Sequence, residues 1–141
     1  MTDPELLAKR LAFIETCIRE LRTLARPDAL DHDVRERRFV EHTLQIAIQA
    51  MQDVASHIVS DERLGEPRTN QELLELLVGA GWLEQELGRR LRQAIGFRNV
   101  VVHGYTSVNL DIMRDVLARG LDDLASFAFA IRARLPPVVE P

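Results

Sequence analysis

The chain has one cysteine, Cys17, in 141 residues. A lone thiol excludes an internal disulfide framework and fits a reducing compartment. Long apolar runs are missing as well, since none approaches the roughly 20 residues a membrane-spanning helix needs. The opening residues, MTDPELLAKR, lack the basic-then-apolar layout of a secretory signal. A cytoplasmic protein with no membrane association is therefore expected. Lysine occurs once, at Lys9, so arginine supplies the rest of the 18 basic residues. No repeat at a solenoid period and no low-complexity tract is present, which sets aside arrays and long linkers.

Hydrophobic residues make up 46% of the chain, enough for one domain to bury a core without metal or disulfide staples. Net charge is −4, which argues against bulk polyanion binding. The charge is unevenly spread. No acidic residue falls between Glu86 and Asp111, yet Arg89, Arg90, Arg92 and Arg98 do. A solvated helix face explains such a window as well as a binding surface does.

Apolar spacing is helical throughout. Leu7, Leu11, Ile14, Ile18, Leu21 and Ala25 alternate steps of four and three, predicting a first helix over about 3–25 with Pro4 in its first turn. Asp31 and Asp33 are candidate N-caps for a second helix reaching about Ser60, with Val40, Leu44, Ala47, Met51, Val54, Ala55 and Ile58 on its core face. Thr69 to Glu72 has the form of a capping box for a short third helix. A junction at Gly79–Gly81 precedes a fourth helix, predicted over about 82–97. Asn109 is the expected N-cap of a last long helix carrying Leu110, Met113, Leu117, Leu121, Leu124, Ala128, Ile131 and Leu135. The fold class is all-α, an antiparallel bundle of four to five helices. Residues 1–135 form one helical domain, and 136–141 a flexible C-terminal tail.

Between the fourth and last helices lies RNVVVHGY, residues 98–105. Arg98 and His103 are five apart, so neither a helix nor a strand gathers them with Tyr105 on one face. Convergence needs a bend, which Gly104 is able to provide. Three β-branched valines also weakly disfavour helix. The octapeptide is thus expected to be an anchored kink presenting polar groups. Each residue has a plainer use too: Arg98 paired with a carboxylate, His103 a satisfied polar group of the core, Tyr105 a space filler. Composition and spacing do not choose between these.

The stretch FRNVVVHGYTSVNLDIM resembles the signature of the HepT-like branch of the HEPN superfamily: arginine, a polar residue, a short apolar run, histidine, any residue, tyrosine, then a capped entry into the last helix. RRFVEHTLQIAIQAMQDVASHIV is similar to that family's long second helix, so the likeness covers about Arg35 to Ile131. Carried onto this chain, the resemblance places the catalytic pair at Arg98 and His103. Asn99 falls on the polar position beside the arginine, and Tyr105 on the motif tyrosine, an AMPylation acceptor. Two positions depart from the pattern. Gly104 stands where many relatives carry an acidic residue, and Asn109 where aspartate is common. The second change preserves capping.

The resemblance implies a toxin of a toxin–antitoxin pair that acts as a metal-independent endoribonuclease. It also implies a homodimer with a composite Arg/His site at the subunit cleft. The implied partner is a nucleotidyltransferase antitoxin (MNT-type) that neutralises the toxin by binding, by AMPylation of Tyr105, or both. RNA is the implied substrate, and no cofactor or metal is expected. The residue types suit that chemistry. Histidine exchanges a proton near neutral pH, and arginine keeps its charge while gripping two phosphate oxygens. Tyrosine orients a phosphate or stacks on a base. The alternative is a non-catalytic, nucleotide- or partner-binding accessory subunit of a nucleotidyltransferase.

Other candidates have structural explanations. His32 lies between two aspartates that also serve as helix caps. His42 and His57 are too far apart for one metal site. Asp53 and His57 share a helix face, where a local hydrogen bond is expected, although that face and Glu41 are also placed to line a cleft. Cys17 and Trp82 read as core. Gly79–Gly81 follows no strand and lacks the Lys-Ser/Thr ending of a phosphate loop.

Overall fold

Asp3 Oδ1 accepts the amides of Glu5 and Leu6 (3.0 and 3.2 Å), opening α1 (Pro4–Leu24) with Pro4 at its first position. The computed structural model describes residues 3–102 and 110–136, and the backbone alone at 98–102. After a 3₁₀ turn at Pro27–Ala29, Asp33 caps α2 (Val34–Asp61) by accepting the amides of Arg35 and Glu36. Thr69 Oγ1 accepts the Glu72 amide at 3.2 Å and opens α3 (Asn70–Gly79). The Glu72 carboxylate completes the cap one residue further back than expected, on the Arg68 amide (2.6 Å). A turn through Gly81, at φ +82, leads to α4 (Gln85–Val102). α5 (Leu110–Asp115) continues through a π-helical turn (Val116–Gly120) into α6 (Leu121–Arg134). The architecture is all-α, as the spacing of apolar residues requires.

Ion pairs between elements fix their directions. Glu15 pairs with Arg132 and Arg22 with Asp122, so α1 and α6 run antiparallel. Arg90 pairs with Asp123 (2.8 Å) while Arg134 donates to the Gly81 carbonyl (2.9 Å), so α4 and α6 are antiparallel too. Arg10 beside Asp53 sets α1 against the C-terminal half of α2. The bundle therefore has two distinct ends. One holds the start of α1, the end of α2, α3 and the start of α4. The other holds the end of α1, the start of α2, the end of α4 and the start of α5.

The core follows the predicted stripes. Leu7, Leu11, Ile14, Ile18 and Leu21 of α1 are buried against Val40, Leu44, Ala47, Met51, Val54 and Ile58 of α2. Leu124, Phe127, Ala128 and Ile131 of α6 close the same core. Cys17 is buried, and burial with Glu20 nearby pushes its thiol up to about 11, so it serves as a small hydrophobe. Trp82 is also core, with the Arg134 guanidinium 4.4 Å from its ring centroid.

The π turn answers an irregularity in the apolar pattern. Met113, Leu117 and Leu121 are spaced by two successive fours. At about 100° per residue, that drifts by roughly 80° around a regular helix. One extra residue in the turn brings Met113 and Leu121 back to the core together.

α3 and α4 approach closely at Gly88, where a β-carbon would meet Val78 Cγ2 at 2.5 Å. Gly88→Ala is expected to cost about 1–3 kcal/mol through overpacking, read as a lower denaturant midpoint. Adding Val78→Ala should recover part of that loss, because the two positions share one contact. Independent, additive losses would refute the steric account.

Candidate functional site

α4 runs five residues past its predicted end at Phe97 and starts three later than predicted, over Gln85–Val102. Arg98 and Asn99 thus sit on the backbone of its last turns, and the three valines belong to the helix. The expected kink beginning at Arg98 is corrected over 98–102. Valine costs only about half a kcal/mol of helix propensity per residue, and the packing of Leu91, Ala94, Ile95 and Phe97 into the core carries the helix onward. The side chains of Arg98 and Asn99 are not among those described. His103, Gly104, Tyr105 and Asn109 lie outside the described residues, as does the tail from residue 137.

What the fold fixes is the frame around that segment. Val102 of α4 and Leu110 of α5, which bracket residues 103–109 in the sequence, lie at one end of the bundle. α5 is anchored twice. Met113 is fully buried, and Arg114 Nη2 lies 2.8 Å from Asp31 Oδ1 in the turn before α2. The hydrogen bond to Asp31 holds the Arg114 guanidinium above its ordinary pKa. Asp111 adds a longer contact to Arg114 at 3.7 Å. Behind α5, the π turn contacts α4. So α4, α5 and the α1–α2 connection meet around the α4–α5 junction.

The cationic window read from the sequence is largely neutralised. Arg89 pairs with Glu86, Arg90 with Asp123, and Arg92 with Glu75 (3.0 Å). The first of these holds the Glu86 carboxyl below its usual range. These partners come from earlier turns and other helices, which a count of charge along the chain does not register. A different set of arginines is left over. Arg19, Arg26, Arg35, Arg37, Arg38, Arg63 and Arg68 make no side-chain ion pair among the described residues; Arg63 and Arg68 lie at the far end, and Arg26, Arg35, Arg37 and Arg38 at the junction end. The run RERR at 35–38 was the available signal.

The remaining candidates are accounted for. Asp33 caps α2 and Asp31 pairs with Arg114, while His32 is exposed between them. Asp53 makes the expected local hydrogen bond, but with Gln49 Nε2 (3.0 Å), and Arg10 Nη1 lies 3.9 Å away. Its neighbour His57 lines a polar recess of about 380 Å³ with Arg10, Asp53, Ser56 and Ser60. That recess is at the end of the bundle opposite the junction. Glu41 is half-buried on α2. Among the described residues, no group of three His, Cys, Asp or Glu is placed to hold a metal ion, and no helix is long and apolar enough to cross a membrane.

Comparison with known proteins places these features in context. The family model HepT-like, described as ribonuclease HepT-like, matches residues 14–131. A Shewanella oneidensis protein named mRNA nuclease HepT is 28% identical over 130 residues, covering 92% of this chain and 98% of that protein. A solved toxin–antitoxin structure with AMP-PNP superposes with a TM-score of 0.86 at 27% identity, over 92% of this chain and 99% of the other. A tri-AMPylated Shewanella oneidensis HEPN toxin, solved in complex with MNT antitoxin, gives 0.85 at 29% identity, over 95% and 100%.

Proposed function

The chain belongs to the HepT-like family, and from that premise we propose that it is the toxin of a toxin–antitoxin pair and cleaves RNA without a metal. The observation that carries the reading is the family match across residues 14–131, which spans Arg98, Asn99, His103 and Tyr105. The name of the Shewanella relative, an mRNA nuclease, supports RNA as the substrate class. The fold supports it by setting the end of α4, the start of α5 and the α1–α2 connection at one end of the bundle.

In the proposed reaction, a 2′-hydroxyl of RNA attacks the adjacent phosphorus. The His103 imidazole takes the hydroxyl proton as the new P–O bond forms. The bond to the 5′-oxygen of the next nucleotide breaks, and that oxygen receives a proton from a second imidazole. Products are a 2′,3′-cyclic phosphate and a free 5′-hydroxyl. Arg98 holds the charge developing on the phosphate oxygens and keeps its own proton throughout. One histidine per chain supplies one acid–base group, so the cleft of a two-fold homodimer completes the site with His103 and Arg98 of each subunit.

The partner in this reading is a nucleotidyltransferase-fold antitoxin that transfers AMP from ATP to the Tyr105 hydroxyl and releases pyrophosphate. The tri-AMPylated toxin in complex with MNT antitoxin supports it. Each added AMP brings a phosphate into the site that RNA would occupy, so charge and bulk both oppose substrate.

Two measurements test the proposal. The purified chain should cut RNA, and incubation with a co-encoded nucleotidyltransferase and ATP should silence it with mass increments of AMP on the toxin. Tyr105→Phe should carry no AMP at this position and should escape the covalent part of silencing. Equal addition to Tyr105→Phe refutes this acceptor. No cleavage of any RNA, together with tight nucleotide-dependent partner binding, replaces the toxin reading with the accessory-subunit one.

A further inference from the structure

Most arginines of the described chain are committed to carboxylates or carbonyls. Those that are not concentrate at one end of the bundle. Arg35 and Arg38 lie three apart in the first turns of α2 and are exposed, whereas Arg37, two residues from Arg35, faces another side of the helix and is half-buried. Positions three apart on a helix are neighbours on its surface. Neither Arg35 nor Arg38 makes a side-chain ion pair among the described residues.

Carboxylates are present at this end, and three of them have an oxygen engaged elsewhere, while the half-buried Glu41, one turn after Arg38, makes no ion pair with it among the described residues. Asp33 accepts the amides of Arg35 and Glu36 as the cap of α2, at 2.9 and 3.3 Å. Glu36 accepts the Arg26 amide at 2.6 Å. Asp31 holds Arg114 at 2.8 Å, and Asp28 adds its field to the same guanidinium. Asp31, Asp33 and Glu36 therefore serve the turn that joins α1 to α2, while Arg35 and Arg38 are exposed and make no side-chain ion pair among the described residues. Asp33 also occupies the first amides of α2, so any anion here would be met by side chains rather than by the helix end.

The Asp31–Arg114 pair ties this turn to α5, eight residues before which α4 ends. The first turns of α2 and the α4–α5 junction are thus neighbours at one end of the fold. We infer that Arg35 and Arg38 form a phosphate-binding subsite that grips the backbone of single-stranded RNA flanking the scissile bond held at the junction. Guanidiniums suit this task because each presents a planar fork of donors that matches phosphate oxygens and cannot be neutralised by pH. The inference rests on the ribonuclease reading of the junction.

The test uses fluorescein-labelled single-stranded RNA and the full-length protein in a His103→Ala background, with affinity measured across a salt series. Replacing both arginines with glutamine is expected to weaken binding about tenfold at low salt. Losing two phosphate contacts should also flatten the slope of log K against log salt by about 1.4, at ~0.7 per contact on a single strand. The double lysine variant should retain most of the slope, since it keeps the charge. A control pair at the opposite end, Arg63→Gln with Arg68→Gln, should leave affinity and slope unchanged. Glutamine and arginine have similar helix propensities, so α2 should persist, which circular dichroism checks directly.

An unchanged slope in the double glutamine variant, with a parent that binds RNA, overturns the subsite while the ribonuclease reading stands. Retained RNA binding with lost antitoxin binding overturns it in favour of a protein interface. A parent that neither binds nor cleaves RNA removes both readings together.

Discussion

His103→Ala is expected to lower RNA cleavage by about 10²–10⁴-fold while the protein stays folded and dimeric. The magnitude is that of positioned proton transfer. Without the imidazole, the 2′-hydroxyl must lose its proton to water, and the departing 5′-oxygen must leave as an alkoxide. If two subunits share the cleft, each wild-type site loses both its base and its acid at once in the mutant dimer. Mixed dimers carrying one alanine subunit separate these roles: they should lose most of the rate, because either missing group stalls the displacement. RNA binding should survive, since the phosphate grip resides in arginine. Undiminished cleavage by a dimeric His103→Ala protein removes the histidine from the mechanism.

The second large effect is on stability. Phe127 has no exposed surface and is among the largest side chains buried in the core. Phe127→Ala should destabilise the fold by about 3–5 kcal/mol, the transfer free energy of the ring plus the cavity it leaves. Against a typical domain stability of about 5–15 kcal/mol, that is a large share. A fall in Tm of roughly 10–20 °C follows for a chain of this size. Two residues along the same helix, Phe129 is 77% exposed. Phe129→Ala removes the same ring and should change stability by less than about 0.5 kcal/mol. Thermal melts of the two variants compare identical chemistry at two depths, and similar melting temperatures would contradict the burial assigned to α6.

How much was legible in the sequence depended on whether the signal was local. Caps are local, so Thr69 was readable from a short pattern and Asp33 as one of two candidates beside Asp31, whereas Asp3, which apolar spacing places within the first helix, is its cap. Core faces are periodic, so the stripes of α1 and α2 were visible as well. The end of α4 was not, because tertiary burial of Leu91, Ala94, Ile95 and Phe97 outweighs the small intrinsic reluctance of valine. Charge proved the least local property of all. Arg89, Arg90 and Arg92 form a cluster along the chain but are matched by Glu86, Asp123 and Glu75 in space. Asp33 and Glu36 stand beside the arginines of RERR along the chain, yet these carboxylates accept backbone amides. The motif itself was readable through resemblance, because a fixed order of arginine, histidine and tyrosine survives where composition says nothing.

The π turn at Val116–Gly120 separates two choices that a regular helix would force together. α6 must keep one phase to satisfy the interior, and α5 must keep another to hold Met113 and Arg114 in their places. An inserted residue works here as a spacer on a threaded rod. It lets the near end be clocked independently of the far end, so the angle at which the chain enters α5 is governed by residue count. The length of the turn is thereby fixed, and Gly120 is constrained as well, since a β-carbon there would meet Val116 Cγ1 at 2.9 Å.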